Sequence, residues 1–88
     1  MNLYIIHLGY YDSDIGMYEL HTNMLVAAHD LREAKQTVKS KDLFVSRKMH
    51  IDGIQEIKEI DGYHVKLEKV GGNVMQNKVY TYDDVKLF

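Results

Sequence analysis

The sequence has no cysteine among its 88 residues. Disulfides, thiolate catalysis and cysteine-ligated metal centres are therefore excluded, and a reducing intracellular compartment fits this composition. The sequence also has little excess charge of either sign, because 11 Lys and Arg face 13 Asp and Glu, a formal net charge of −2. No overall electrostatic field therefore indicates a nucleic acid, a membrane or a strongly acidic partner.

The amino-terminal segment, residues 1–11, has no positively charged leader, and its apolar run is too short for a signal peptide or a membrane span. We therefore expect a cytoplasmic protein. The 45% apolar and 27% charged residues are typical of a folded domain, and 88 residues leave room for only one hydrophobic core. We expect a single domain over residues 1–88.

The first half of the sequence predicts two strands followed by a helix. Residues 3–8 form an apolar run, turn residues follow at 12–16, and the even positions of a second strand between 18 and 28 are mostly apolar. Asp30 and Glu33 have the spacing of a capping box, and apolar residues recur at helical spacing after Asp30. This pattern predicts one helix at about residues 30–40.

The second half predicts three more strands. Asp61-Gly62 separates strand-like segments at 54–60 and 63–70, and Asp-Gly in this setting indicates a hairpin. We favour a three-residue turn with a glycine bulge, which pairs Ile57 with Leu67, over a two-residue turn, which pairs it with Lys66. Gly71-Gly72-Asn73 should end that strand, and 78–82 reads as the last one, with residues 85–88 extending it or fraying.

The expected fold class is therefore α+β, with the element order ββαβββ. We expect a mainly antiparallel sheet of four or five strands with one helix packed on one face.

Several short segments resemble the small bacterial family of domain of unknown function 1543: Leu8-Gly9-Tyr10, Glu19-Leu20-His21, Leu25-Val26-Ala27, His50-Ile51-Asp52, and Asp61-Gly62-Tyr63 with Val65 and Leu67. The resemblance implies a short α+β domain that occurs singly or as a tandem pair. It implies no established activity, ligand or catalytic residue. The sequence departs from the family pattern at residues 41–44, where the family tends to have an aromatic-rich segment that ends in glycine.

His7, Glu19, His21 and Asn23 form the first candidate site. If the first hairpin is centred near residue 14, His7 lies opposite His21, with Glu19 and Asn23 on either side of it. Two imidazoles and a carboxylate could bind a divalent metal or perform acid–base chemistry. The alternative is that these residues are the solvent-facing side of a half-buried sheet.

His50 and Asp52 form the second candidate pair. They lie two residues apart, so they share one face of a strand, where the carboxylate could orient the imidazole. The structural alternative is that Asp52-Gly53 makes a turn or bulge and that His50 packs at the start of the strand.

A third feature is the basic stripe of Arg32, Lys35 and Lys39, which could bind phosphates. A solvated helix face explains this stripe better, so a nucleic-acid partner is not expected.

The sequence contains no nucleophile paired with a base, no phosphate-binding loop and no recognisable spacing of metal ligands. We therefore expect a non-enzymatic interaction module without a cofactor. The sequence identifies no catalytic residues. The alternative is a small polar-ligand or divalent-metal site, with acid–base catalysis as one use, built from His7, Glu19, His21, His50 and Asp52.

A homodimer is also expected. Residues 3–8 place apolar side chains on both faces of the first strand. A helix of this length covers about 16 Å by 10 Å, much less than one face of a five-stranded sheet more than about 20 Å wide. A second copy is the simplest cover for the remaining apolar surface.

Overall fold

The computed structural model describes residues 1–72 and 77–88. Its elements are, in chain order, β1 (Asn2–Tyr10), β2 (Leu20–Ala28), α1 (Leu31–Lys39), α2 (Asp42–Ser46), β3 (His50–Ile57), β4 (Glu59–Ile60), β5 (Tyr63–His64) and α3 (Tyr82–Lys86). β1 to β3 form an antiparallel sheet in the order β2-β1-β3, and β4 and β5 form a separate two-stranded hairpin. The predicted α+β class with antiparallel pairing is confirmed, but the described residues form sheets of three and two strands instead of one sheet of four or five.

The hydrophobic core lies between one face of the three-stranded sheet and α1. The even positions of β1 point to this side, and Ile6 and Leu8 are fully buried there. Ala34 and Val38, four residues apart on α1, are buried against them. The other core members are Tyr4, Val26, Ala28 and Met49. The even positions of β2 are more buried than the odd ones, as its alternating pattern predicts.

α1 confirms the predicted helix. The Asp30 carboxylate accepts a hydrogen bond from the Glu33 backbone N–H at 2.8 Å, which satisfies one of the free donors of the first turn. The short helix α2 was not predicted, and no side chain caps its first turn. A single turn of helix leaves too little periodicity to be recognised in a sequence.

The pairing of β3 with β1 contains a β-bulge at Asp52. His7 lies opposite Gly53, whereas the next residue of β1, Leu8, lies opposite Ile51, so Asp52 is the extra residue. The bulge lets Ile51 and Ile54 both pack against the core although they are three residues apart. This confirms the structural reading of Asp52-Gly53 as a turn or bulge, with His50 at the start of the strand.

The hairpin between β4 and β5 has the two-residue turn, so the preferred three-residue bulged turn is wrong. Ile60 pairs with Tyr63, and Asp61 and Gly62 both have positive φ, 51° and 83°. Two consecutive residues of positive φ make a type I′ turn, which matches the twist of the flanking strands without a bulge. The pairing stops after His64, although the Val65 backbone N–H still donates to the Lys58 carbonyl oxygen at 2.9 Å.

The last predicted strand is also wrong, because the residues at its end begin a helix. Thr81 and Asp84 form a capping box that starts α3 at Tyr82. This reciprocal hydrogen bonding outweighs the β propensity of the tyrosines and valines around it. Asn73, from the turn expected to close the preceding strand, lies outside the described residues. None of the described helices is long and apolar enough to cross a lipid bilayer.

Candidate metal centre

The face of the sheet opposite α1 carries the polar residues singled out in the sequence. Antiparallel pairing arranges its side chains in rows that run across the three strands. The row of interest consists of His21 on β2, Gly9 on β1 and His50 on β3. Glu19 lies just before β2 and Asp52 is the bulged residue of β3, so both carboxylates reach the same row.

Four side chains converge above Gly9, and we call them the Gly9 cluster: Glu19, His21, His50 and Asp52. His50 Nε2 lies 2.6 Å from Glu19 Oε1 and 3.1 Å from Asp52 Oδ1. His21 Nε2 lies 3.3 Å from Asp52 Oδ2 and 3.6 Å from Glu19 Oε1. Each imidazole therefore faces both carboxylates.

Gly9 makes this convergence possible. The two outer strands are separated by about twice the 4.8 Å strand spacing, so their side chains can meet only above the central strand. A Cβ atom at Gly9 would lie within 2.8 Å of Glu19 Oε1, His50 Nε2 and Asp52 Oδ2. The glycine thus leaves a space that the polar atoms of the cluster fill.

The spacing of the ligand atoms suits a metal ion. A tetrahedral zinc ion with bonds of about 2.0–2.1 Å separates neighbouring ligand atoms by about 3.3 Å. Three of the four imidazole–carboxylate distances are 3.1, 3.3 and 3.6 Å. The fourth is the 2.6 Å hydrogen bond between His50 and Glu19, whose bridging proton a metal would replace. Among the described residues, Glu19, His50 and Asp52 each offer a ligand atom within 4.8 Å of the other two, and His21 stands outside that group although it faces both carboxylates.

The Gly9 cluster is open to solvent on one side. The exposed fractions of the side chains are 32% for Glu19, 37% for Asp52, 47% for His50 and 63% for His21. The backbone of β1 closes the opposite side, because Gly9 is buried. A bound ion could therefore take three protein ligands, from Glu19, His50 and Asp52, and a fourth ligand from either His21 or solvent.

His7 and Asn23 are the residues of the first candidate site that lie outside the Gly9 cluster. The expected pairing of His7 with His21 is wrong, because His7 pairs with Asn23 and His21 pairs with Gly9. The physical reason is that the hairpin is centred on residue 15 instead of 14, which moves every cross-strand partner by two residues. His7 instead lies in the neighbouring row, where its Nδ1 is 2.6 Å from Asn23 Oδ1.

Gly9 was not recognised as a site residue from the sequence, in which it ends an apolar run. A signal was present, since glycine within a strand often marks a close approach of other groups to the backbone. The union of Glu19 and His21 with His50 and Asp52 had no sequence signal, because it depends on β1 lying between β2 and β3.

The basic stripe lies away from the Gly9 cluster, on α1. Arg32, Lys35 and Lys39 are exposed, and with Leu31 and Gln36 they line a surface groove of about 380 Å³. A second groove of about 500 Å³ runs from Lys35 and Lys39 to His50.

Comparison with known proteins gives a family but no relative of known function. No curated protein and no solved structure matched the chain. The model of one protein family, described as Domain of Unknown Function (DUF1543), matches residues 16–67, which are 52 of the 88 residues. The matched segment contains all four residues of the Gly9 cluster, and because it covers more than half of the chain, the chain belongs to the DUF1543 family.

Proposed function

We propose that this domain binds a divalent transition-metal ion, such as zinc, through the Gly9 cluster. The observation that supports the proposal is the convergence of two imidazoles and two carboxylates above a glycine whose missing side chain makes room for them. Two carboxylates and two neutral imidazoles balance the charge of a divalent ion. The proposed compartment is the cytoplasm.

The ligand types favour a transition metal over magnesium or calcium. Magnesium and calcium prefer sites made entirely of oxygen ligands, whereas imidazole suits zinc, copper, iron and nickel. Two of the four groups in the Gly9 cluster are imidazoles. We therefore expect zinc to bind much more tightly than magnesium or calcium.

Thermal denaturation with and without zinc tests the proposal. Zinc at 100 times its dissociation constant should stabilise the fold by about 2.7 kcal/mol, which raises Tm by about 10–20 °C in a domain of this size. His21→Ala and His50→Ala should lose most of this increase. His64→Ala is the matched control, because His64 is an exposed histidine on β5, where it pairs with Glu59. A zinc-induced increase that is absent, or equal in all four proteins, would refute the metal site.

We also propose, as a second function, that the open face of the sheet mediates self-association. The two rows beyond His7 are mostly apolar: Ile5 pairs with Leu25 and with the polar Gln55, and Leu3 pairs with Ala27 and Ile57. Leu25 is 68% exposed at a strand position, where a neighbouring surface would bury it. A two-fold homodimer is the simplest arrangement that covers this surface.

Light scattering at micromolar concentrations tests the homodimer. We expect a dimer that Leu25→Glu converts to a monomer, because the variant places a charge at the most exposed large apolar position of these rows. Leu31→Glu is the control, since Leu31 is 54% exposed at the first residue of α1, where a negative charge is favourable. A wild-type protein at the monomer mass, independent of concentration, would exclude self-association.

A further inference from the structure

The core face of the sheet is covered unevenly by α1. This helix packs against β2, and core-facing residues of the first two strands, such as Ile6 and Val26, are buried. On β3, which is an edge strand of the three-stranded sheet, the residues that pack against the core, Ile51 and Ile54, are only half-buried. Apolar surface of β3 therefore remains accessible beside α1.

Part of this surface lies in the second groove described above, which we call the β3 groove and which has a volume of about 500 Å³. It is lined by three apolar and three basic residues: Phe44, Met49, Ile51, Lys35, Lys39 and His50. The Met49 backbone N–H donates to the Phe44 carbonyl oxygen at 3.0 Å and thereby fixes the end of α2 against the start of β3. The groove is therefore a fixed feature of the fold, and its volume is within the range of about 300–1,000 Å³ typical of small-molecule sites.

Lys35 and Lys39 place two positive charges on the α1 side of this groove. They are exposed and one helical turn apart, so both ammonium groups can reach the same small anion. No carboxylate of residues 1–72 or 77–88 lies within ion-pair distance of either lysine, and the groove is lined by no acidic residue. Like charges at this spacing destabilise a helix, and a bound anion would compensate this repulsion.

We infer that the β3 groove binds a small amphiphilic anion, an apolar chain or ring that ends in one anionic group. The anionic group lies between Lys35 and Lys39, and the apolar body covers Phe44 and Ile51. The reverse orientation is unfavourable, because His50 at the other end of the groove adjoins the carboxylates of the Gly9 cluster. The inference depends on neither the metal site nor self-association.

Titration of ¹⁵N-labelled, chelator-treated protein with octanoate tests the inference, because the amide chemical shifts both locate the ligand and give its dissociation constant. Butyrate keeps the anionic group but shortens the chain, and octanol keeps the chain but has no charge. Octanoate should shift the amides of Phe44 and Ile51 and bind at least about tenfold more tightly than butyrate, because it buries more methylene groups. It should also bind about tenfold more tightly than octanol, which makes no ionic contact with the lysines.

Lys35→Gln and Lys39→Gln each remove one charge and keep a long polar side chain. Each variant should weaken octanoate binding about threefold and leave octanol binding unchanged. Lys66→Gln is the matched control, since it makes the same change in net charge at an exposed residue that does not line the β3 groove. Absence of octanoate binding, amide shifts confined to the open face around Leu25, equal affinities for octanoate and octanol, or the same affinity in all three variants would overturn the inference.

Discussion

Replacement of Gly9 by alanine should disturb the Gly9 cluster and leave the rest of the fold unchanged. The added methyl group would lie within 2.8 Å of polar atoms of Glu19, His50 and Asp52, closer than van der Waals contact allows. These atoms are the ends of side chains, so they can move away while the backbone stays in place. Gly9→Ala should therefore disperse the ligands without disrupting the sheet.

The expected change in stability of the metal-free protein is small. Alanine is favoured over glycine within a strand by about 0.5–1 kcal/mol, because glycine loses more conformational freedom on folding. The interactions lost are ion pairs between partly exposed groups, which contribute about 0–1 kcal/mol each. These terms have opposite signs, so the free energy of unfolding should change by less than about 1 kcal/mol.

The expected change in metal binding is large. Three ligand groups must move, and loss of even one outer partner of a metal site typically weakens affinity by about 10–100-fold. Gly9→Ala should therefore weaken zinc binding by more than about 100-fold and abolish the 10–20 °C increase in Tm at a zinc concentration that saturates the wild type.

Gly53→Ala is the matched control for this experiment. Gly53 lies in the next row of the same face, and a methyl group there would meet only His7, at an ordinary contact distance of 3.7 Å. Circular dichroism melts of both variants, after chelator treatment and then with added zinc, give the comparison. A zinc-induced increase in Tm that Gly9→Ala retains in full, or that both variants lose equally, would refute the reasoning.

Three further predictions concern the fold. Ile6→Ala removes a fully buried side chain and should lower the free energy of unfolding by about 2–5 kcal/mol in urea denaturation, whereas Ile60→Ala, at a position 60% exposed, should change it little. Asp30→Ala removes the cap of α1 and should cost about 1 kcal/mol in the same assay, with Asp30→Asn close to the wild type. Two hydrogen bonds from Thr81, the larger effect from its backbone N–H and the smaller from its hydroxyl, hold the pKa of Asp84 below its usual value of 3.8. The cap of α3 should therefore be intact above pH 3.8 and be lost only as the pH falls through the lowered pKa. Thr81→Ala should raise the pKa of Asp84 in a carboxyl NMR titration, and an unchanged value would exclude the hydroxyl contribution.

Local signals predicted the parts of the fold that depend on neighbouring residues. The cap at Asp30 and the spacing of Ala34 and Val38 define α1, and the alternation in β2 identifies its buried face. The register of the first hairpin was not predictable in the same way. Tyr10 pairs with Leu20, so nine residues, 11–19, connect the strands, and no short turn type fixes the register across a connection of that length.

The sequence predicted which residues belong to the candidate site, but it did not predict how they are arranged in space. All four members of the Gly9 cluster were identified from the sequence, as two groups at the start of the second and third strands and as part of one alternative site with His7. They meet because β3 pairs with β1 across a distance of more than 40 residues along the chain, and because the bulge places Asp52 beside His50. Neither the strand order nor the role of Gly9 follows from local propensity.

The energetics of the Gly9 cluster argue for a bound cation over a purely structural role. Exposed ion pairs contribute little to stability, and the two carboxylates share the same imidazoles, so their like charges are held close together. A bulge in β3 and a glycine in the central strand, both of which weaken a sheet, are needed to bring these groups together. The bulge also lets Ile51 and Ile54 pack against the core, but a polar surface that served only solubility would not require the glycine. A divalent ion would turn the repulsion between the carboxylates into attraction for each of them, and its binding free energy would offset the cost of the glycine.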